Sequence, residues 1–294
     1  MVKTPDDLKK TEELKDVKAD IKRRTIQISW EGAMELEHII IEKDHPFATL
    51  RINRSDDPSN TLSIETVREL RDALNKLSED INIKVLFVTG NERVFSTGAD
   101  VKQIKDLGPW EVRDLARRGK EVFQRLEEMD CVTIALVNGL ALGGGLELAM
   151  CCDFRICIPK ARFGLVEPRI GLIPGWGGTQ RLPRIVGVAR ALEMVYTGET
   201  IKADEALNLG LVQLIIGNDQ DLEEEGRKYA QKFLKLSRVS LMLGKRAVRT
   251  GFEMPLVYGA AFETELFTLA WGSKDRKEGF DAFLEKRKPK FMDE

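Results

Sequence analysis

Residues Ala141–Met150 read ALGGGLELAM, and three consecutive glycines here interrupt the most apolar stretch of the chain. A carboxylate, Glu147, follows two residues after the last of them. Glycine weakens a helix or strand interior, and an ionised glutamate is costly to bury without partners. The stretch reads as a junction, where a buried strand ends, the chain turns, and a helix opens at the glycines. Val132–Val137 is the strand leading in, and Phe154–Ile158 is the strand leading out. Val132–Cys152 is also long enough to be tested as a membrane span. Asn138, the glycines and Glu147 lie inside it and Asp153 follows directly, which suits a buried strand, turn and helix and not one spanning helix.

Working upstream, His38–Glu42 and Phe47–Asn53 read as two strands joined by the KDHP turn. Ser63 then caps a helix carrying Ile64, Val67, Leu70, Leu74 and Leu77 at helical spacing. Lys84–Thr89 is a short apolar run suited to a buried strand. A second helix follows Gly108, with Pro109 near its start and Val112, Leu115, Val122, Phe123 and Leu126 directed inward. Strand, strand, helix, strand, helix is an α/β alternation. Beyond about Leu214 the character changes: Asp221–Leu236, Leu241–Thr250 and Leu256–Ala270 all read as helices. The expected organisation is a charged extension over 1–35, an α/β core over 36–217 and a helical region over 218–294.

The bulk properties narrow the partners. Lys and Arg total 46 against 48 Asp and Glu in 294 residues, so no strong field draws nucleic acid or an anionic membrane. Small molecules and other subunits are the expected partners. Cys131, Cys151, Cys152 and Cys157 lack CxxC spacing, and the only histidines, His38 and His45, lie far off in sequence. That pattern predicts buried free thiols in a reducing compartment, with neither a zinc site nor a histidine-based triad. The N-terminal MVKTPDDLKKTEELKDVKADIKRR has no apolar h-region and is too acidic for a transit peptide, so a cytoplasmic location is expected.

The glycine junction carries the chemistry. A glycine run between strand and helix lets backbone approach a ligand and leaves the first helical amides free to bind negative charge. No GxxxxGK[ST] or GxGxxG is present, so phosphate-loop readings lose support. The remaining anion is an oxyanion developing on a carbonyl carbon. FSTGADVKQI, Phe95–Ile104, sets a second glycine, Gly98, after a buried strand, and one donor from each turn would make a two-point oxyanion hole. Glu147 lies in the first turn after the glycines, and Glu167 lies among Phe163, Leu165 and Val166 in ARFGLVEPRIGLIPGWGGTQRL. Two carboxylates at one apolar site, one ionised and one protonated, suit water addition across a double bond. Such glycines also serve as plain tight turns, and such glutamates as capped or surface residues; the residues alone leave both readings open.

Four segments together resemble the crotonase (enoyl-CoA hydratase/isomerase) superfamily: FSTGADVKQI, VNGLALGGGLELAMCCDFRI, RFGLVEPRIGLIPGWGGTQRLPR and the terminal GFDAFLEKRKPKF. The resemblance runs from about Leu36 to the C-terminus. It implies a spiral of strand–strand–helix units, a helical C-terminal region that packs subunits into trimers or hexamers, and a coenzyme A thioester substrate passing through an enolate-like state. By matching position, the amides of Ala99 and Gly144 would form the oxyanion hole. Glu147 would deprotonate the water that adds to the β-carbon, Glu167 would protonate the α-carbon, and Gly175 would help hold the water. Lys102 and Lys286 match positions that contact the coenzyme A phosphates. No separate cofactor is implied, since coenzyme A enters with the substrate. Two glutamates imply a hydratase, whereas isomerases of the family commonly keep only the second. The proline that hydratases usually carry before that second acid is here Val166, and Pro168 follows it instead. Isomerisation, hydration of a branched or cyclic dienoyl-CoA and thioester hydrolysis are the neighbouring activities, and a non-catalytic binding protein is the reading from another class.

Overall fold

The structure, a computed structural model, describes residues 36–293; the charged N-terminal arm lies outside them. β1 (Ile39–Asp44) and β2 (Phe47–Ile52) pair antiparallel through the turn at His45–Pro46. α1 (Ile64–Ser78) starts where Ser63 accepts a hydrogen bond from the Thr66 amide, and it buries Val67, Leu70, Leu74 and Leu77. β3 (Val85–Thr89), α2 (Val101–Ile104), α3 (Pro109–Glu127), β4 (Val132–Val137), β5 (Leu140–Leu142) and α4 (Gly144–Cys151) follow. The tested membrane stretch is thus β4, β5 and α4, and no helix among the described residues is long and apolar enough to cross a membrane.

β6 (Phe154–Cys157) and β7 (Arg162–Gly164) lead into a 3-10 turn at Glu167–Ile170. Then come α5 (Gly178–Val186), α6 (Val188–Thr197), β8 (Ile201–Lys202), α7 (Ala203–Asn208) and β9 (Leu214–Ile215). The chain ends in α8 (Leu222–Leu234), α9 (Arg238–Phe252), α10 (Leu256–Trp271) and α11 (Lys274–Leu284).

Two sheets organise these elements. The larger runs β1-β2-β3-β4-β6-β9, parallel except for the first pair, and the smaller runs β5-β7-β8. Single bridges, Ser96 to Ala141 and Leu62 to Ala99, extend the smaller sheet toward the start of the chain. The repeating path is a strand in the large sheet, a short segment in the small one, then a helix. β4, β5 and α4 make one such unit; β6, β7 and α5 make the next. This is the strand–strand–helix spiral expected of the crotonase fold, and the short second-sheet segments lie beside the openings of the helices.

The large sheet is covered on both faces, as parallel sheets generally are. Leu86, Val88, Ala135 and Val137 pack with Leu70, Phe123 and Leu146 on one face. Phe87, Ile134, Leu136 and Ile156 point the other way, toward Ala230, Tyr229 and Phe233 of α8. Period-two alternation therefore feeds two cores, and the sequence shows a continuous apolar run. On α3, Leu115, Val122, Phe123 and Leu126 are buried as expected, but Val112 is 42% exposed. It lies one turn before Leu115, the first buried residue of the helix.

Candidate active site

The glycine junction closes on itself through backbone bonds. The Leu142 amide donates to the Ser96 carbonyl at 3.0 Å, the Ser96 amide to the Leu140 carbonyl at 3.0 Å, and the Gly143 amide to the Gly164 carbonyl at 2.8 Å. This knits the FSTGA segment against β5 and the opening of α4. Gly98 has φ 98°, in the left-handed region, and a Cβ built on it would lie 2.9 Å from both the Gly144 nitrogen and the Leu142 oxygen. Only glycine allows the two turns to touch in this way.

That contact brings two amides close together. The bridge to Leu62 uses the Gly98 carbonyl and the Asp100 amide, leaving Ala99 between them free of the ladder. Neither the Ala99 nor the Gly144 amide donates to an acceptor among the described residues. The two are close, since a Cβ on Gly144 would stand 3.5 Å from the Ala99 nitrogen. Gly144 is also the first residue of α4, where the unpaired amides of a helix favour an anion.

Glu147 is buried at 1% exposure, yet it is not orphaned. Its Oε1 accepts hydrogen bonds from the Trp176 amide at 2.8 Å and the Gly178 amide at 2.7 Å. Burial pushes its pKa up; the two amides, then Arg181 and Lys120, oppose that by supporting the charged form. Glu167 has less such support, from its own backbone amide alone. It opens the 3-10 turn, and its Oε1 lies 3.0 Å from where a Cβ on Gly143 would be. Its Oε2 is buried without a hydrogen-bond partner. Burial, with a smaller push from the Glu147 charge, raises its pKa to about 7. Burial thus raises both acids, and Glu147 alone has two backbone amides of the neighbouring turn opposing that shift.

The displaced proline has a local explanation. Pro168 occupies the second position of the 3-10 turn, where a missing N–H leaves no bond unmade. The Leu172 amide donates to the Glu167 carbonyl and closes the turn. With the proline after the acid, the carboxylate still reaches Gly143.

Gly175 immediately precedes the two donors to Glu147, and a Cβ built on it would meet nothing within 4 Å. There is open space beside it. Lys102 is exposed on α2, three residues past Ala99, where the Asp100 side chain accepts from its amide at 3.1 Å and ion-pairs with Arg54 at 3.0 Å. Lys286 is exposed at φ 55° just after α11. The structure therefore gathers Ala99, Gly144, Glu147, Glu167 and Gly175 and keeps Lys102 nearby in the chain, while Lys286 makes no contact with these residues among those described. All four cysteines are free and buried. No group of three or more His, Cys, Asp or Glu among the described residues could hold a metal.

Sequence reasoning missed Trp176. Its ring lies 2.6 Å from where a Cβ on Gly144 would be, with its Nε1 2.3 Å from the corresponding point on Gly119, and it packs edge-on against Phe123 at 5.3 Å. The tryptophan inside the glycine-rich GWGG turn was the available signal. A cleft of about 930 Å³ is lined by Lys120, Glu127, Trp176, Arg181 and Arg249 among others, but not by either acid or either free amide. The acids and free amides meet at the glycine junction, and the cleft runs past Trp176.

Known proteins resemble the chain over most of its length. The family described as Enoyl-CoA hydratase/isomerase matches residues 43–294. The chain is 40% identical over 260 residues to the crotonyl-CoA hydratase of Syntrophomonas wolfei, covering 88% of this chain and 99% of that protein. It is 38% identical over 256 residues to the short-chain-enoyl-CoA hydratase of Clostridium acetobutylicum, covering 87% and 97%. The crystal structure of an enoyl-CoA hydratase from Bacillus anthracis superimposes with a TM-score of 0.82 at 36% identity, over 88% of this chain and 100% of that one. The chain belongs to the enoyl-CoA hydratase/isomerase family and has the crotonase fold.

Proposed function

We infer that the protein is an enoyl-CoA hydratase, a hydro-lyase that adds water across the 2,3 double bond of a 2-enoyl-CoA to give the 3-hydroxyacyl-CoA. The observation that carries the reading is the unequal treatment of two acids at one glycine junction. Glu147 holds two amide donors, while Glu167 is half-buried with one buried, unpartnered oxygen and a pKa of about 7.

In this reading the thioester oxygen sits between the Ala99 and Gly144 amides, which stabilise the negative charge that develops as water adds. Glu147, as carboxylate, takes a proton from the water while the remaining hydroxyl bonds to the β-carbon. Glu167, as the acid, gives its proton to the α-carbon. The space beside Gly175 suits that water. Lys102 and Lys286 are assigned to the coenzyme A phosphates, and coenzyme A enters only as part of the substrate, with no separate cofactor. The named relatives at 40% and 38% identity act on crotonyl-CoA and short-chain enoyl-CoA, so a short acyl group is the first substrate to try.

The C-terminal helices are assigned to subunit packing. Leu256, Val257, Tyr258, Phe267 and Leu269 of α10 are all more than 60% exposed, which is a large apolar surface for an isolated chain. A trimer or a hexamer in the cytoplasm is the proposed state. The test of function follows crotonyl-CoA absorbance with the wild type, Glu147→Gln and Glu167→Gln. Fast loss in the wild type and a large drop in each variant support paired acid–base hydration. Retention of acetoacetyl-CoA binding without turnover would move the reading to another acyl group or reaction.

A further inference from the structure

The turn that holds Glu147 is itself held by a chain of charged side chains. Arg181 stands on α5, and its Nη1 donates to the Trp176 carbonyl at 3.0 Å. The same nitrogen lies 2.1 Å from where a Cβ on Gly177 would be, so the guanidinium rests directly on the backbone between the two amides that bind Glu147. Its Nε and Nη2 donate to Glu127 Oε2 of α3 at 3.1 and 2.6 Å. The other oxygen of Glu127 accepts from Arg249 Nη1 of α9 at 2.5 Å. Arg249 in turn pairs with Asp153 Oδ1 at 2.8 Å and donates to the Cys151 carbonyl at 3.2 Å, at the far end of the helix that carries Glu147.

Resting on the hydratase reading above, we infer that Arg181 is a positioning residue: braced by Glu127 and Arg249, it fixes the Trp176–Gly178 turn so that two amides meet Glu147 Oε1. It touches neither acid nor the reacting atoms. A planar guanidinium can bond the Trp176 carbonyl and the Glu127 carboxylate at once, whereas an ammonium offers a single point of charge. The bracing pair is partly sheltered, with side-chain exposures of 18% for Arg181 and 26% for Glu127. Arg181 lines the 930 Å³ cleft, which neither Glu147 nor Glu167 lines.

The arrangement also has an electrostatic consequence. The charged groups that act on Glu147 are Arg181 of α5, Lys120 of α3 and, across the site, Glu167. The two cations support the carboxylate and Glu167 opposes it. Loss of Arg181 removes one of the cations and loosens the turn that supplies both amides, so both effects make Glu147 harder to ionise.

The experiment compares steady-state kinetics of full-length wild type, Arg181→Met, Arg181→Lys and Glu127→Gln on crotonyl-CoA across pH, with amide exchange of residues 172–182 by mass spectrometry. Arg181→Met is expected to lower kcat about 10²-fold, as small misplacements of catalytic groups do, with KM within about threefold. Its acidic limb moves to higher pH. Arg181→Lys restores the position of that limb but only part of kcat, and Glu127→Gln, which leaves Arg181 on the Trp176 carbonyl, gives a smaller loss in the same direction. A folded Arg181→Met with unchanged kcat and an unmoved limb overturns the inference. If Arg181→Met does not fold, an unchanged kcat in Glu127→Gln overturns it. If the wild type itself does not turn over, the hydratase reading fails. The brace is then judged by exchange alone: Trp176 and Gly178 amides exchanging about tenfold faster in Arg181→Met or Glu127→Gln support it, and unchanged exchange overturns it.

Discussion

The amide of Trp176 donates to Oε1 of Glu147 at 2.8 Å, across 29 positions of sequence. That one bond joins the opening of α4 to the turn before α5, two successive units of the spiral, and Gly178 repeats the join at 2.7 Å. A carboxylate whose Oε1 takes two amides of one turn has little freedom to rotate, and its Oε2 edge is left for a water. Fixing a base in this way before substrate arrives is worth more than its hydrogen bonds alone.

Glu147→Gln keeps an oxygen for the two amides but cannot take a proton. We expect kcat for crotonyl-CoA hydration to fall by about 10²–10⁴-fold with KM little changed. The melting temperature should stay equal to or above that of the wild type, because a buried charge has been removed. A fall in KM-dependent binding with kcat preserved would contradict the role of base.

Glu167 is the acid in the proposed step, so its protonated form is the active one. With its pKa raised to about 7 by burial, kcat/KM should decline as pH rises through 7, while loss of ionised Glu147 sets the acidic limb. A profile recorded between pH 5 and 9 checks this (about four units around the handover). A plateau continuing above pH 8.5 or so would show that Glu167 does not donate the proton.

Much of this site is legible in the sequence, and the reasons are local. Gly98, Gly143, Gly144 and Glu147 stand within short segments whose apolar flanks and glycines betray a strand turning into a helix. Val132–Val137 and Phe47–Ile52 declare themselves as strands by short, mostly apolar runs rich in β-branched residues or bounded by turn residues. The second sheet was not legible, because β5, β7 and β8 are only two or three residues long and carry no period to read. α5 and α6 were passed over for a similar reason: glycines and Pro183 break the helical pattern. Trp176, Arg181 and Glu127 were invisible as a group because they come from separate elements and meet only through tertiary contact. Val112 is exposed although it shares the inward face, because helical spacing gives the direction of a face and not where its packing begins.

The glycine at 98 is a steric requirement. Gly98→Ala would force a Cβ to within 2.9 Å of the Gly144 nitrogen and the Leu142 oxygen, at a φ of 98° that alanine rarely adopts. The two turns must separate, and with them the paired amides. We expect about 10²-fold or greater loss of kcat, as for removal of an oxyanion donor, and a destabilisation of about 1–3 kcal/mol. Kinetics and thermal melts on the same sample measure both; activity within twofold of the wild type would contradict the site.

The four cysteines should be inert in the folded chain. Burial pushes Cys131 up to about 11 and both Cys152 and Cys157 up to about 12, and it raises Cys151 further. The thiolate is the reactive species, so a thiol reagent at pH 8 should label none of them in the native protein and all four after unfolding in guanidinium. Rapid labelling of any one in the native state would show that its surroundings open.

Glu167 also links stability to pH, with a sign opposite to that of a salt-bridged acid. Its folded pKa of about 7 lies above the ordinary value of 4.5, so the folded chain holds a proton that the unfolded chain has released at intermediate pH. Below 4.5 both states are protonated and the group makes no difference. As pH rises from there to 7, folding must increasingly retain that proton, and stability falls; above 7 the buried charge is carried in full. Glu167→Gln removes the penalty. At pH 8 the variant should therefore be more stable than the wild type, by about 1–3 kcal/mol, and at pH 4 the two should be alike. Denaturant titrations at both pH values, in the absence of coenzyme A thioesters, measure the difference. Equal stability at pH 8 would mean that solvent reaches the carboxylate and that its proton is not held by burial.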